Sequence, residues 1–274
     1  MGRLDGKVAL VTGGARGTGA DIAQVFVDEG ATVVIADVLD DLGAQTAADL
    51  GDAASFRHLD VTDPDGWTDV VDGIVADHGH LDVLVNNAAV LELATIADTS
   101  PERAQQIVNI NLLGPWLGVR AVTEPMKAAG GGSIVNISSS AGVHGEHGVV
   151  IYSATKWGLR GLAKSGSLEL GQFGIRINCV CPSGGSMDMV APYMNQLAER
   201  MKAGEEIDFT GSPRRPMGRN ITLREIANMT LFLASDESSG CNGGDFVVDA
   251  GYTVGHVEPG APGAAPNKVF RIRE

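Results

Sequence analysis

Apolar runs of four to six residues alternate along this chain with stretches whose apolar positions recur every three to four residues. The first pattern suits strands buried on both faces, the second the helices that cover them. Val8-Ala-Leu-Val11 reads as the first strand and Asp21 to Gly30 as the helix after it, with Ile22 and Phe26 on one face. Thr32-Val-Val-Ile-Ala-Asp37 is the second strand and Phe56-Arg-His-Leu-Asp-Val61 the third. Thr62-Asp-Pro-Asp65 supplies the capping residue and early proline of a helix that runs to about Gly79. Further along come a strand at Leu81–Asn86, a long helix at Pro101–Ala129, a strand at Gly132–Ser139 and a helix at Tyr152–Phe173. A strand at Ile175–Cys181, a helix at Thr222–Ala234 and a last strand at Asp245–Asp249 complete the pattern. Crossovers of this length predict an α/β fold: a single-domain, Rossmann-type doubly wound parallel sheet of about seven strands, helices on both faces, ligands at the carboxyl ends of the strands.

Two segments break the alternation. Residues 183–220 carry Met187, Met189, Tyr193, Met194, Met201 and Phe209, with Pro-Arg-Arg-Pro near the end. So long and apolar a segment is either a lid over a hydrophobic substrate or a packed helical excursion, and its departure from a strand end favours the lid. Residues 255–274 resemble a linker, with Pro259, Pro262 and Pro266 among Gly and Ala, ending in the alternating Lys268-Val-Phe-Arg-Ile-Arg273. The expected organisation is one domain over 1–254, including the lid, and a C-terminal arm over 255–274 that lies against a partner subunit near its lid.

At 274 residues, 44% hydrophobic and 20% charged, the chain is long enough for one large domain. A net charge of −14 argues against nucleic acid and anionic membrane as partners, since both need clustered Lys and Arg. Cys179, Cys181 and Cys241 form neither a C-x-x-C pair nor an even framework, so they read as reduced thiols. The first strand begins within seven residues of Met1 without an apolar signal core, and Gly6 stands where myristoylation needs Ser or Thr; a cytoplasmic location is expected. His144-Gly-Glu-His147 lacks the spacing of H-E-x-x-H, and no metal is expected.

The chemistry begins where the first strand runs into Thr12-Gly-Gly-Ala-Arg-Gly-Thr-Gly19. Gly13, Gly17 and Gly19 let the backbone approach a pyrophosphate, which free N–H groups and the positive end of the next helix would hold. The spacing is T-G-x-x-x-G-x-G, distinct from G-x-G-x-x-G and from a Walker loop. Asp37 ends the second strand about twenty residues on, where a carboxylate accepts from ribose hydroxyls and repels a 2′-phosphate, so the cofactor reads as NAD. Arg16 is discordant: its guanidinium could take that phosphate, the pyrophosphate or the adenine edge. On a helix, Tyr152 and Lys156 share a face, so the ammonium should favour the ionised phenol. Ser139, thirteen residues before Tyr152, closes its strand and could donate to a substrate oxygen.

Taken together, the T-G-x-x-x-G-x-G turn, Asp60-Val61, Asn86-Asn-Ala88, the Ser139 strand and Tyr152-x-x-x-Lys156 resemble the short-chain dehydrogenase/reductase family, from Lys7 to about Tyr252. The resemblance implies that Tyr152 is the general acid/base, that Lys156 lowers its pKa and holds the nicotinamide ribose, and that Ser139 orients the carbonyl or alcohol oxygen. It implies a relay through water from Asn111 to Lys156, and cofactor contacts from Gly13, Arg16, Gly17, Thr18, Gly19, Asp37, Asp60, Val61, Asn87, Ala88, Pro182 and Gly185. Within the family the glycine turn, Ile-Ala-Asp37-Val-Leu-Asp and the Ser139 strand look most like bacterial NAD-dependent hydroxysteroid dehydrogenases. That implies oxidoreduction of a bulky, alicyclic or steroid-like secondary alcohol or ketone, and a homotetramer with faces at Leu112, Trp116, Leu162 and Leu168. Three positions depart from the family pattern: Ala89 for glycine, Pro182-Ser183 for Pro-Gly, and Met187 for a threonine that contacts the carboxamide. Ser186 or backbone near Gly185 would have to substitute. The rival readings are a reductase of carrier-bound 3-oxoacyl chains, disfavoured by Asp37 and the acidic charge, and a non-catalytic NAD-binding sensor or scaffold.

Overall fold

The structure, a computed structural model, describes residues 2–205, 215–255 and Pro262. Seven parallel strands form one sheet: β1 (Val8–Thr12), β2 (Thr32–Asp37), β3 (Ala54–His58), β4 (Val83–Asn86), β5 (Gly132–Ile137), β6 (Ile175–Pro182) and β7 (Asp245–Val248), in the order β3-β2-β1-β4-β5-β6-β7. Every residue of β1 and β4 is buried, which is why these strands carry no polar alternation. Leu10 pairs with Leu84 and Val11 with Val85, so the chain direction of the crossovers reverses between β1 and β4. Ligands of doubly wound sheets bind at such a switch point.

Each face of the sheet has its own core. Ala9, Val11, Val85 and Val135 meet Ile22 and Phe26 of α1 (Gly17–Asp28) and Ile226 and Leu231 of α8 (Leu223–Ala234). Leu10, Leu84, Ile134 and Ile177 meet Trp67 and Ile74 of α3 (Pro64–His78), Val122 and Met126 of α5 (Gly114–Ala129), and Leu159 of α6 (Val150–Leu170). Gly118 permits the close approach of α5: a Cβ there would lie 2.7 Å from the Trp67 ring.

Four differences from the sequence expectation have physical causes. α2 (Asp40–Leu50) was not anticipated, because Gly43 and Ala47 are its only buried residues and a helix with so small a buried face leaves little periodic signal. β3 stops at His58, since the Leu59 N–H bonds to Asp37 O and Asp60 then starts a turn; Leu59 and Val61 are buried as loop residues. The expected helix over 101–129 is α4 (Pro101–Val108), a π turn at Asn109–Leu113, and α5. α1 begins at Gly17, inside the glycine turn, four residues before Asp21.

Of the 183–220 segment, the structure describes α7 (Met187–Lys202) and the return at 215–220; Phe209 lies outside the described residues, as does the C-terminal arm apart from Gly255 and Pro262. Among the described residues no helix is long and apolar enough to cross a membrane.

The start of α8 is fixed by a capping box. Thr222 Oγ1 accepts from the Glu225 N–H at 3.3 Å, and Glu225 Oε2 accepts from the Thr222 N–H at 2.8 Å. Thr222→Ala should therefore cost about 1 kcal/mol, because it leaves an N-terminal N–H without its partner under a helix that supplies core residues. Scanning calorimetry should show a fall in Tm of about 2–4 °C for a chain of this size; an unchanged Tm would mean that the box contributes nothing.

Candidate active site

The glycine turn owes its residues first to crowding. Gly13 and Gly17 have φ of +63° and +58°; a Cβ on Gly13 would stand 2.8 Å from Ala88 Cα, one on Gly17 2.5 Å from Ser186 Cβ, and one on Gly19 2.1 Å from Gly13 O. Arg16 sits at the N-cap of α1 without a side-chain capping bond, and the first turn holds no acidic residue. The helix therefore presents its N–H groups and positive end unneutralised, which suits the pyrophosphate of a dinucleotide.

One cavity of about 590 Å³ opens along the carboxyl ends of the strands. Its wall includes Gly13, Arg16, Thr18, Asp37, Asp60, Val61, Asn87 and Ala88, so the structure brings this part of the expected set together. Gly17 and Gly19 lie behind the wall, where their lack of a side chain shapes the turn. Asp37 is oriented from both sides, Oδ2 accepting from the Ala15 N–H at 3.1 Å and Oδ1 from the Leu39 N–H at 3.2 Å. Asp60 Oδ1 accepts from the N–H and hydroxyl of Thr62 at 2.9 and 2.8 Å, which turns the chain so that Asp60 and Val61 reach the wall.

At the other end of the cavity lie Ser139, Tyr152 and Lys156. Ser139 follows β5 and caps a short 3₁₀ turn, its Oγ accepting from the Ala141 N–H at 3.1 Å. Lys156 is buried, and its Nζ donates to Ile137 O at 2.8 Å and stands 5.4 Å from the centre of the Tyr152 ring. The expectation that the ammonium lowers the phenol's pKa needs correction for burial. Desolvation pushes Tyr152 up to about 12, against a lowering contribution from its hydrogen bond with Ser139 and a raising one from Glu146. Desolvation likewise brings Lys156 down to about 8. The arrangement accordingly keeps Tyr152 neutral near pH 7, beside a lysine that still holds most of its charge.

Asn111 is fully buried in the π turn and does not line the cavity. Its side chain is spent on Val90, Oδ1 accepting from the N–H at 2.9 Å and Nδ2 donating to the carbonyl at 2.8 Å. The amide thus clamps the segment after β4, and a relay to Lys156 would have to use the Asn111 main chain. Pro182 and Gly185 line the cavity with Ser186, Asp188 and Met189, whereas Met187 is 66% exposed and stands off the wall. His144 turns its ring edge-on to Tyr252 at 5.0 Å, and among the described residues no group of three or more metal-ligating side chains is assembled.

The sequence reading missed Thr12, whose hydroxyl accepts from the N–H groups of Asn87 and Ala88 at 3.1 and 3.2 Å and so locks the turn to the end of β4. It also missed Arg103, Gln106 and Ile110 on the wall; their spacing of three and four places them on one helix face, a signal that was available.

A family model described as "Enoyl-(Acyl carrier protein) reductase" matches residues 13–253. A 3-alpha-(or 20-beta)-hydroxysteroid dehydrogenase of Mycobacterium tuberculosis is 47% identical over 254 residues, covering 93% of this chain and 92% of its own. The chain belongs to the short-chain dehydrogenase/reductase family. Two other relatives of this short-chain dehydrogenase are 40% identical: a trans-4-hydroxycyclohexanecarboxylate dehydrogenase of Sinomonas cyclohexanicum (93% of this chain, 95% of the relative) and a cyclopentanol dehydrogenase of Comamonas testosteroni (92% and 99%). The crystal structure of a short-chain dehydrogenase/reductase from Burkholderia xenovorans superposes with a TM-score of 0.83 at 30% identity, covering 93% of this chain and 99% of that one. Membership implies an oxidoreductase with a nicotinamide dinucleotide cofactor, NAD or NADP.

Tyr152→Phe removes one hydroxyl from a half-buried ring and little of the cavity wall. Turnover should fall at least about 10²-fold, the usual worth of a positioned acid or base, while NADH binding followed by fluorescence stays within a few-fold of the parent. A variant keeping a tenth of the rate would exclude the tyrosine from proton transfer.

Proposed function

We propose that this short-chain dehydrogenase interconverts a ring-borne secondary alcohol and its ketone with NAD(H) as cofactor. The observation that carries the reading is the single cavity that joins the glycine turn and Asp37 at one end to Ser139, Tyr152 and Lys156 at the other. The bound cofactor supplies or accepts the hydride; the chain's own residues handle the oxygen and its proton. In reduction, Ser139 holds the carbonyl oxygen by hydrogen bonding and Tyr152 donates the proton to it, while Lys156 stabilises the phenolate left behind. Oxidation runs the same steps backward.

Choice of NAD over NADP rests on Asp37, a carboxylate fixed at the adenosine end that would repel a 2′-phosphate; Arg16 on the same wall is the opposing element. The substrate assignment is supported by the apolar wall residues Val90, Leu91, Ile110 and Met189 and by the hydroxysteroid and ring-alcohol names of the relatives. The lid reading of α7 fits its start on the cavity wall. A carrier-bound acyl substrate, suggested by the family model's description, is disfavoured because an acidic carrier protein would meet a chain of net charge −14. A cytoplasmic homotetramer is part of the proposal, with Trp116 and Leu168, 48% and 86% exposed, offered as its apolar contacts.

An assay of a panel of cyclic alcohols with NAD⁺ and NADP⁺ tests the reading directly. The expected result is oxidation of ring alcohols with NAD⁺ preferred, and a narrower preference in Asp37→Ala, chiefly through weaker NAD⁺ binding. A parent enzyme that prefers NADP⁺ would hand the decision to Arg16.

The proton chemistry also sets the pH dependence. The protonated phenol, with its pKa pushed up to about 12, is the active form for reduction, and the deprotonated form is the active one for oxidation. Oxidation kcat/KM should therefore climb between pH 6 and 10, by no more than tenfold per unit, while reduction does not climb. Oxidation that stays flat over this range would contradict the assignment.

A further inference from the structure

The stem of α7 leaves the end of β6 close to the catalytic tyrosine and crosses toward the glycine turn. Its far side is fixed there by the Ser186–Gly17 contact and by Gly185, where a Cβ would lie 3.9 Å from Thr18 Oγ1. Since β5 and β4 separate β6 from β1 in the sheet, the stem spans the cavity above the ends of those two strands. A dinucleotide whose pyrophosphate sits on the glycine turn and whose reacting carbon faces Ser139 and Tyr152 must run its nicotinamide under this span. Ser186, Asp188 and Met189 line the cavity there.

Asp188 is the charged group of the span. Ser186 caps α7 by accepting from the Asp188 N–H at 3.2 Å, and its hydroxyl donates to Asp188 Oδ2 at 2.8 Å. The hydroxyl proton is thus committed to the carboxylate, and the carboxylate is oriented by it. Asp188 enters no ion pair among the described residues. Of the cations on the same wall, Arg103 faces Glu92 at 3.4 Å and Lys156 donates to Ile137 O, while Arg16 stands beside Gly17 at the glycine-turn end of the span. Met187, which would bring a neutral hydroxyl if it were threonine, is exposed instead.

We propose that Asp188, held by Ser186, binds the oxidised nicotinamide more tightly than the reduced form, which makes bound NADH the stronger hydride donor and favours ketone reduction on the enzyme. The oxidised ring carries a positive charge that hydride addition at its C4 cancels, the electron pair of the alcohol's C–H bond going to the ring as the alcohol carbon becomes a carbonyl. A carboxylate beside the ring attracts the cofactor only before that transfer, so it tightens NAD⁺ relative to NADH. Because Asp188 is exposed, the attraction is screened and amounts to a few-fold in affinity, largest at low salt. The inference rests on the proposed use of a nicotinamide dinucleotide.

Equilibrium binding tests it without turnover. Dissociation constants for NADH, from its fluorescence, and for NAD⁺, from calorimetry, are measured for the parent, Asp188→Asn and Ser186→Ala at low and at about 0.5 M salt. Asn keeps the shape and an acceptor for Ser186, so the ratio Kd(NADH)/Kd(NAD⁺) should fall about fivefold in Asp188→Asn at low salt and by less at high salt; Ser186→Ala should move it the same way by a smaller factor. A ratio unchanged within twofold in Asp188→Asn, with both forms still binding, overturns the role of Asp188 and leaves the proposed function standing. Failure of the parent to bind either form overturns both.

Discussion

The approach of one strand end to its neighbour is the constraint from which the rest of the site follows. At the switch point between β1 and β4 the two crossovers leave in opposite directions, and the strand ends would gape unless something tied them. Thr12 does so with its hydroxyl, donating to Val85 O at 3.3 Å while accepting from two N–H groups of the β4 end. Asn87 completes the tie, its Nδ2 donating to Thr12 O at 2.9 Å and Gly13 O at 3.0 Å. So close is the approach that any side chain at Gly13 would strike Ala88. The glycines are thus demanded by the protein's own backbone before any ligand is considered, and the pyrophosphate cradle is a consequence of closing the switch point.

Beside that closed floor Lys156 is buried next to a half-buried Tyr152. Lys156 enters the site from the face of the sheet covered by α6, and taking an ammonium out of water is tolerable because Ile137 O receives it. Its own carbonyl accepts from the Ser138 hydroxyl at 2.9 Å, so backbone and side chain of the lysine are both tied to the β5 end. The same burial that brings the lysine pKa down raises that of the tyrosine, and the two effects together hold a neutral phenol beside a cation. The packing of α6 against the β5 end, more than the i, i+4 spacing alone, determines the protonation states of the pair.

Strand positions were legible in the sequence because a sheet buried on both faces leaves unbroken apolar runs, as in Val8–Val11 and Val83–Val85; the wall residues Asp37 and Ser139 stand at or just beyond strand ends where that pattern points, and Tyr152 and Lys156 share a face of α6. Apart from the helix face of Arg103, Gln106 and Ile110, what escaped was governed by contacts with no periodic trace. The small buried face of α2, the π turn that buries Asn111 and the single hydroxyl of Thr12 each depend on one or two tertiary partners. Asn111 shows the difference most sharply: its position in the chain was readable, but the use of its amide to clamp Val90 required the fold. The pKa ordering of Tyr152 and Lys156 escaped for the same reason, since desolvation depends on everything packed around a group.

The two sides of the cavity are built on different foundations. The glycine-turn side rests on the ends of β1, β2 and β4, whose strands are buried in the core, so a change in them disturbs the sheet. The facing side is carried by α7, where Leu197 is the one buried hydrophobic side chain among those described, and Met187, Met194 and Met201 remain exposed. Arg215 fastens the return of this segment, its NH2 donating to Ser183 O at 3.1 Å and its guanidinium lying 4.8 Å from the centre of the Tyr252 ring. With so few buried side chains among those described, α7 adds little to the core. Substitutions along α7 can then alter that side of the cavity while Ser139, Tyr152 and Lys156 stay where the β5 end and α6 put them, so on the proposed function specificity can change separately from the chemistry.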